Sequence, residues 1–579
     1  MRFPCLLPLV LCLIIPSFAA SNGLPYLNQP LVPSTRVPGS TSFTMKVYGS
    51  GFSQNAQVNW NGVALFTTFV SHDELKAFVP GSNVGIPGTS MVSVTNPGPG
   101  GGTSNAVPFT TTLPTASLTF NTSAITVGTS VTAIAVGDFN NDGKMDLAVA
   151  NEGAGYSCEG DSQFYYISIL LGNGNGTFTA GGSIELGCMS EGLGSFGVGE
   201  TVGDFNGDGR LDLALLLFSG AGPGPTIAVY LGNGDGTFAP SPSSFLQGYD
   251  FLGPVIAGDF NSDGKLDLAF PANVFGSGGL YVLPGNGDGT FAASPLIFFG
   301  SPSSQWLAEG DFNGDGILDA AGALLPGQPV SILLGNGDGR FSPASTQPAI
   351  TVSGPMVTGD FNGDGILDLA FPGLTLLGNG DGTFREKDGV GALDAVDNNG
   401  LIAAADFNGD GKLDLAEIGQ TSISIYLGNG DGTFQTPLEI PENTGPSQLA
   451  VGDFSGEGRL DIAVVSSGDN TVSLLLQSPA ASLSSTSLSF AAQRLGTQSR
   501  PQGVTLTNSG SARMHILSIV SSGDFAEANT CGSFQTIGHT CQIEIYFRPT
   551  ETGFRTGEIT ITDDAADSPQ VITLSGTGK

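Results

Sequence analysis

The sequence predicts an all-β chain, a seven-bladed β-propeller flanked by two Ig-like β-sandwich domains. Three observations point there. An acidic nine-residue loop recurs seven times between residues 138 and 461, and a Gly-rich turn recurs six times in the same span. Short alternating apolar runs take the place of any long helical period. With 88 Gly and 35 Pro in 579 residues, tight turns are favoured over helices.

The acidic loops read DFNNDGKMD, DFNGDGRLD, DFNSDGKLD, DFNGDGILD twice, DFNGDGKLD and DFSGEGRLD. Oxygen-bearing side chains fill positions 1, 3, 5 and 9. With the carbonyl of position 7 they form the donor set that wraps a hard cation such as Ca²⁺, and Gly at position 6 permits the sharp turn. The candidate metal ligands are Asp138, Asn140, Asp142, Lys144 and Asp146 in the first loop, then Asp204, Asn206, Asp208, Arg210 and Asp212. They continue with Asp259, Asn261, Asp263, Lys265 and Asp267, then Asp311, Asn313, Asp315, Ile317 and Asp319. The fifth and sixth sets are Asp360, Asn362, Asp364, Ile366 and Asp368, and Asp406, Asn408, Asp410, Lys412 and Asp414. The last is Asp453, Ser455, Glu457, Arg459 and Asp461, where Ser and Glu replace Asn and Asp and weaker binding is expected. The position-7 residues would supply carbonyls, so the side chains of Lys144, Arg210, Lys265, Lys412 and Arg459 are expected to face solvent. Phe at position 2, from Phe139 to Phe454, is expected to fill the space between blades.

Each acidic loop is followed by an apolar strand, such as LDLALLL (Leu211–Leu217). A variable stretch comes next, then a strand ending in a turn such as LGNGDGTF (Leu231–Phe238). Asn-Gly and Asp-Gly pairs accept positive φ and turn hairpins. Each unit therefore offers four strands, with the acidic loop joining the first two and the Gly-rich turn the last two. That is the pattern of a propeller blade. The seventh unit lacks a Gly-rich turn, and the orphan segment Ala116–Val127 is expected to supply its missing outer strand and so close the ring.

These repeats resemble the FG-GAP/VCBS family, whose members include the integrin α-subunit propellers. The resemblance implies a seven-bladed propeller over residues 115–478 with Ca²⁺ in the acidic loops. Residues 28–112, with VYGSGF, VNWNG and VTNPGPGGGTSNAVPF, resemble an IPT/TIG domain. Residues 480–579, with VTLTNSG, CQIEIYFRPTETG and ITLSGTG, resemble an ASH-type Ig-like module. Modules of these kinds act as spacers or contact surfaces.

The chain carries 52 acids against 18 Lys and Arg, for a net charge of −34. Three acids sit in each loop, so much of the acidity is local and at ligand spacing. Seven divalent cations would take −34 to about −20, still acidic enough to argue against nucleic acid or anionic membrane as partner. Residues 1–20, with Arg2 ahead of an apolar run and small residues near Ala19, read as a signal peptide, with an uncleaved anchor as the alternative. No other stretch could span a bilayer. A secreted or extracellular chain would keep four cysteines, whose order suggests the disulfides Cys158–Cys188 and Cys531–Cys541, with free buried thiols as the alternative.

The three histidines, His72, His515 and His539, all lie outside the propeller span, which excludes a His-based triad or His-rich metal site there. No catalytic residue and no organic cofactor site can be named. The acids left over from the loops, among them Glu152, Glu159, Asp161, Glu191, Glu200, Glu309 and Asp397, read as solvated loop charge. The expected role is binding or adhesion to an extracellular glycan or protein. An extracellular polysaccharide-active enzyme such as a propeller lyase and a purely structural surface protein are the alternatives. Both kinds of repeated turn fall on one end of the ring. The opposite end carries the variable connections, Asn151–Gln163 and Thr179–Gly199 being the longest, and near it lie the candidate ligand-binding aromatics Tyr156, Tyr249, Phe251 and Trp306.

Overall fold

The computed structural model describes residues 25–579 apart from short stretches, the longest being 153–162, 190–199, 218–225 and 389–400. Residues 1–24, Tyr156 and Cys158 therefore lie outside the described residues, and with them the expected signal peptide. Among the described residues between Phe120 and Gln477 the strands form seven antiparallel sheets, one per acidic loop. Blade 2 illustrates the order: Glu200–Gly203, Asp212–Leu217, Thr226–Gly232 and Phe238–Pro240, each paired with the next. The meander follows from its connections, because a tight loop or turn between consecutive strands returns the chain antiparallel to itself.

Second strands are buried on both faces, as in Asp212–Leu217 and Asp461–Ser466. They read as continuous apolar runs because a neighbouring blade covers each side. The cores accordingly lie between blades. Phe205, Ile227 and Val229 pack with Leu268 and Phe270 between blades 2 and 3, and Leu147 and Val149 pack with Val465 and Val472 between blades 1 and 7. First strands contact one another in sequence around the ring, and that of blade 7, Pro446–Gly452, returns to that of blade 1, Thr129–Gly137.

Closure follows the sequence expectation. Strand Phe120–Thr126 pairs antiparallel with Thr471–Gln477, with Phe120 opposite Gln477 and Thr126 opposite Thr471. Blade 7 is thus built from both ends of the repeat span, and its third strand is paired on both sides.

Two expectations need correction. The segment Thr179–Gly199 is not all connection, because strand Phe178–Met189 runs through it, bulged near Gly182 and Gly187, and reaches Gln163 opposite Met189. Several leftover acids are not loop charge. Glu152 ends a strand and accepts the Tyr165 hydroxyl at 3.1 Å, and Glu309 sits on the first strand of blade 4, where burial lifts its carboxyl to about 7.

Both flanks are two-sheet sandwiches. In the N-terminal module, Phe43–Ser50 and Glu74–Val79 face Gly88–Thr95 and Gln57–Trp60 across Met45, Val47, Leu75, Val92 and Phe109. Its first strand, Tyr26–Leu27, begins just ahead of the expected boundary. In the C-terminal module Thr540–Phe547 alternates strictly, turning Cys541, Ile543, Ile545 and Phe547 inward, and Cys531 is disulfide-bonded to Cys541. It is tied to the ring where Thr119 Oγ1 donates to the Ser478 carbonyl at 2.7 Å and Ser511 Oγ donates to the Thr119 carbonyl at 2.9 Å.

Deleting residues 115–128 leaves Thr471–Gln477 as an unpaired edge. The expected outcome is loss of the monomer peak to aggregate in size-exclusion chromatography. An unchanged monomer would contradict closure by this strand.

Candidate metal centre

Each acidic loop is knit by its own carboxylates, as loop 2 illustrates. Asp204 Oδ1 accepts the amides of Gly207 and Asp208 at 2.7 and 3.0 Å, and its Oδ2 accepts that of Gly209 at 2.8 Å. Asn206 Oδ1 accepts the Asp208 amide at 2.8 Å, and Asp208 Oδ1 accepts that of Arg210 at 3.0 Å. Gly209, at φ +83°, holds the left-handed turn that lets the chain curl around these oxygens.

The position-9 aspartate does something different. Asp146, Asp212, Asp267, Asp319, Asp368, Asp414 and Asp461 are all fully buried, at 0% exposure. Asp212 Oδ2 accepts the amide of Phe205, at position 2 of its own loop, at 2.9 Å, while Oδ1 accepts that of Gly232, at the end of the third strand, at 2.8 Å. The same two bonds recur in blades 1 and 3 to 6, and in blade 7 the amides of Ser455, at position 3, and Gln477 take their place. One carboxylate thus joins the acidic loop to the outer hairpin. Gly232 approaches so closely that a Cβ would collide with the Leu211 carbonyl oxygen, which explains the Gly that opens each GNGDG turn.

Neighbouring blades are latched at the same level. The amide of Gly236, in the turn of blade 2, donates to the Phe139 carbonyl, in the loop of blade 1, at 3.1 Å. Gly289 to Phe205, Gly339 to Phe260, Gly382 to Phe312, Gly432 to Phe361 and Gly176 to Phe454 repeat it. Blade 7 has no such turn, and there the Gln477 side chain donates to the Phe407 carbonyl at 2.8 Å. The position-2 phenylalanines meet the turn phenylalanines edge-on, as in Phe139 against Phe238 at 5.6 Å, so they are interblade packing as expected.

The donor set of every loop is hard oxygen, which suits Ca²⁺. Among the described residues no three carboxylates already face one another as a closed cage, because first- and fifth-position oxygens are turned onto loop amides. Burial first, and then repulsion from the other loop acids, lifts the position-9 carboxyls. Asp146 reaches about 6, Asp212, Asp319 and Asp368 about 7, and Asp267 and Asp461 about 8. A bound cation would reverse that cost. Residues at positions 1, 3, 5, 7 and 9 could hold it, with the carboxylates of 1 and 5 swinging off their amides.

Of the position-7 cations, Lys144, Arg210, Lys265 and Lys412 are 42–47% exposed and lean on the position-5 aspartates at 3.0–3.8 Å. Arg459 departs from expectation. It is 3% exposed, with Nη1 donating to Gln477 Oε1 at 3.4 Å and with Asp406 of the sixth loop and Glu457 and Asp461 of its own as the nearby charges.

The N-terminal module sits on the loop end of the ring, which the sequence analysis did not anticipate. Lys46 Nζ donates to the Gly365 carbonyl at 3.2 Å, and Thr89 Oγ1 donates to Asp453 Oδ2 at 2.6 Å. Between module and ring lies a cavity of about 380 Å³, lined by Met91, Ser104 and Pro108 on one side and by Asp138, Leu211 and Leu413 on the other. No periodicity marks such a contact, since its partners are hundreds of residues apart.

Of the candidate ligand aromatics, Tyr249, Phe251 and Trp306 lie at the opposite end, though not on loops. Tyr249 and Phe251 are on a short strand paired with the far end of Asp267–Val274. Trp306 is half-buried on the first strand of blade 4 and packs against the core shared with blade 5. Cys188 is disulfide-bonded, and its expected partner, Cys158, lies outside the described residues.

A ring of four-stranded blades, each with an oxygen-lined loop between its first two strands, defines an all-β repeat protein of propeller type. The chain carries FG-GAP-like repeats, and that family matches it over residues 138–215, 204–270, 311–371 and 406–464. No curated protein matches the chain. Among solved structures it is similar to an Agrocybe aegerita lectin described as recognising non-reducing terminal N-acetylglucosamine, at 18% identity and a TM-score of 0.37, covering 66% of this chain and 96% of that one. It is also similar to an auxiliary nutrient binding protein from Bacteroides ovatus, at 11% identity and a TM-score of 0.28, covering 78% and 97%. A third likeness, over 18% of this chain and 87% of the other, is to an ASH/PapD-like domain of human CEP192, at 14% identity and a TM-score of 0.15.

Asp368→Ala strands two buried amides, of Phe361 and Gly378, and is expected to cost about 3 kcal/mol in urea unfolding under chelator. The exposed Asp364→Ala is expected to cost less than about 1 kcal/mol under the same conditions. Equal losses would contradict the stapling role of position 9.

Proposed function

We propose that the chain is an extracellular protein whose acidic loops hold Ca²⁺ and whose ring binds an extracellular glycan or protein. The observation that carries the reading is the loop itself, repeated seven times with the same hard-oxygen donor spacing and joined by a buried carboxylate to each outer hairpin. Cation binding would then stiffen the loop end, and the ring would present its other end as a rigid platform. The position of the N-terminal module favours that end, since the module covers the loop end.

Flanking modules of IPT/TIG-like and ASH-type character would act as a clamp and a spacer. The Cys531–Cys541 disulfide fits an oxidising compartment, and no helix among the described residues is long and apolar enough to cross a membrane. We read the ring as non-catalytic. His72 lies in the N-terminal module with Nδ1 2.8 Å from the Phe52 carbonyl, and His515 stacks on Phe534 in the C-terminal module. Neither is available for acid–base work in the ring. One observation favours a second binding position: the cavity of about 380 Å³ at the loop end falls in the size range of small-ligand pockets.

Two outcomes are expected. Calcium at ~1 mM should stabilise the ring by roughly 1.4 kcal/mol per site of ~0.1 mM affinity, so chelator lowers the melting temperature by many degrees and calcium restores it. An unchanged melt, with no metal in the purified protein, would refute the cation reading. In a glycan-array screen, a ligand captured by the full chain should be lost on Tyr156→Ala with Tyr249→Ala, at unchanged melting temperature. Loss on Met91→Trp instead would move the site to the cavity, and capture surviving both would refute both positions.

A further inference from the structure

Loop 7 differs from the other six in more than its Ser455 and Glu457. Its first carboxylate, Asp453, is no more buried than Asp259 or Asp406, but its Oδ2 already takes the Gly458 amide at 2.9 Å when Thr89 Oγ1, from the N-terminal module, adds a bond at 2.6 Å. The glycine at position 6 meets the module backbone to backbone. A Cβ on Gly458 would lie 2.6 Å from the Cα and N of Gly88, whereas one on the equivalent Gly143, Gly209 or Gly411 would meet nothing within 4 Å. Gly88 itself stands at φ +152° beside Thr89, so the module offers a residue without a side chain where the two segments touch. Behind the loop, Arg459 is buried against Gln477, the residue that takes the place of the missing seventh turn. A fixed guanidinium there opposes the entry of a divalent cation. Loop 5 is also touched by the module, but at a backbone carbonyl: Lys46 Nζ and the Tyr48 hydroxyl both donate to the Gly365 carbonyl, at 3.2 and 3.5 Å, whereas in loop 7 the module bonds to the first carboxylate itself.

We propose that the seventh acidic loop is the socket that holds the N-terminal module on the ring, with the other six loops taking the cation. This rests on the cation reading for those six loops and adds that the seventh copy has been converted from ligand cage to docking site. Asp453 then serves as acceptor for Thr89, Gly458 gives clearance for Gly88, and Arg459 supplies the positive charge that an ion supplies elsewhere.

The test compares bound calcium per full-length chain, by elemental analysis after removal of free metal, in the parent, Asp315→Ala, Asp453→Ala and Thr89→Val. The expected result is one ion lost from Asp315→Ala and none from Asp453→Ala or Thr89→Val. Amide hydrogen exchange over residues 88–92 should meanwhile rise about tenfold in Thr89→Val, the equivalent of one hydrogen bond to a charged group. An ion lost from Asp453→Ala would overturn the proposal, as would unchanged exchange in Thr89→Val. If Asp315→Ala loses no ion, the cation reading itself fails, and the exchange result still decides whether loop 7 is the socket.

Discussion

The structure depends on one buried carboxylate per blade. The position-9 aspartate has no access to solvent, yet both its oxygens are filled, one by a loop amide (position 2 in six blades, position 3 in blade 7) and one by the amide at the end of the third strand. A buried ion is tolerated only when its hydrogen bonds are complete. This one therefore fixes the distance between the acidic loop and the end of the third strand in every blade. From that distance follow the Gly at the end of strand three, the level of the Gly-rich turn, and the reach of that turn to the phenylalanine carbonyl of the preceding blade.

The same geometry explains how seven small sheets behave as one body. Each blade alone would expose two apolar faces and two edges. Edge-on phenylalanine pairs and the glycine-to-carbonyl latch join each loop to the next turn, and the cores form between blades. The ring closes because the last blade borrows Phe120–Thr126 as its outer strand and Gln477 makes with a side chain the bond that the other blades make with a glycine amide. Crowding three acids into each loop is costly without a counter-charge. That cost links the fold to the cation we assign to it.

Much of this was legible in the sequence because the determinants are local. Nine consecutive residues specify the loop, and GNGDG with a following Phe specifies the turn. The missing seventh turn pointed to the segment near 116–127, of which 120–126 forms the strand. What was not legible depends on distant partners. Arg459 and Arg210 occupy the same position in their loops, and only their distant neighbours, Gln477 and Asp406 beside Arg459, tell the buried one from the exposed one. The Thr89–Asp453 bond leaves no pattern in either stretch. The length of strand Phe178–Met189 is set by its pairing with Gln163–Gly172, with register shifts beside Gly181 and Leu186, and that pairing leaves no local mark in the stretch expected to be connection. Trp306 was placed at the correct end, but sequence could not say that it packs inward.

The central claim is that the loops are cation cages built on this buried staple. The most direct measurement is a crystal structure grown in calcium, with anomalous scattering collected to locate the ions. The account predicts anomalous peaks in loops 1 to 6, each among the oxygens of positions 1, 3, 5, 7 and 9, and none in loop 7, where Thr89 holds Asp453. Loops without peaks, their carboxylates still turned onto their own amides in saturating calcium, would contradict it.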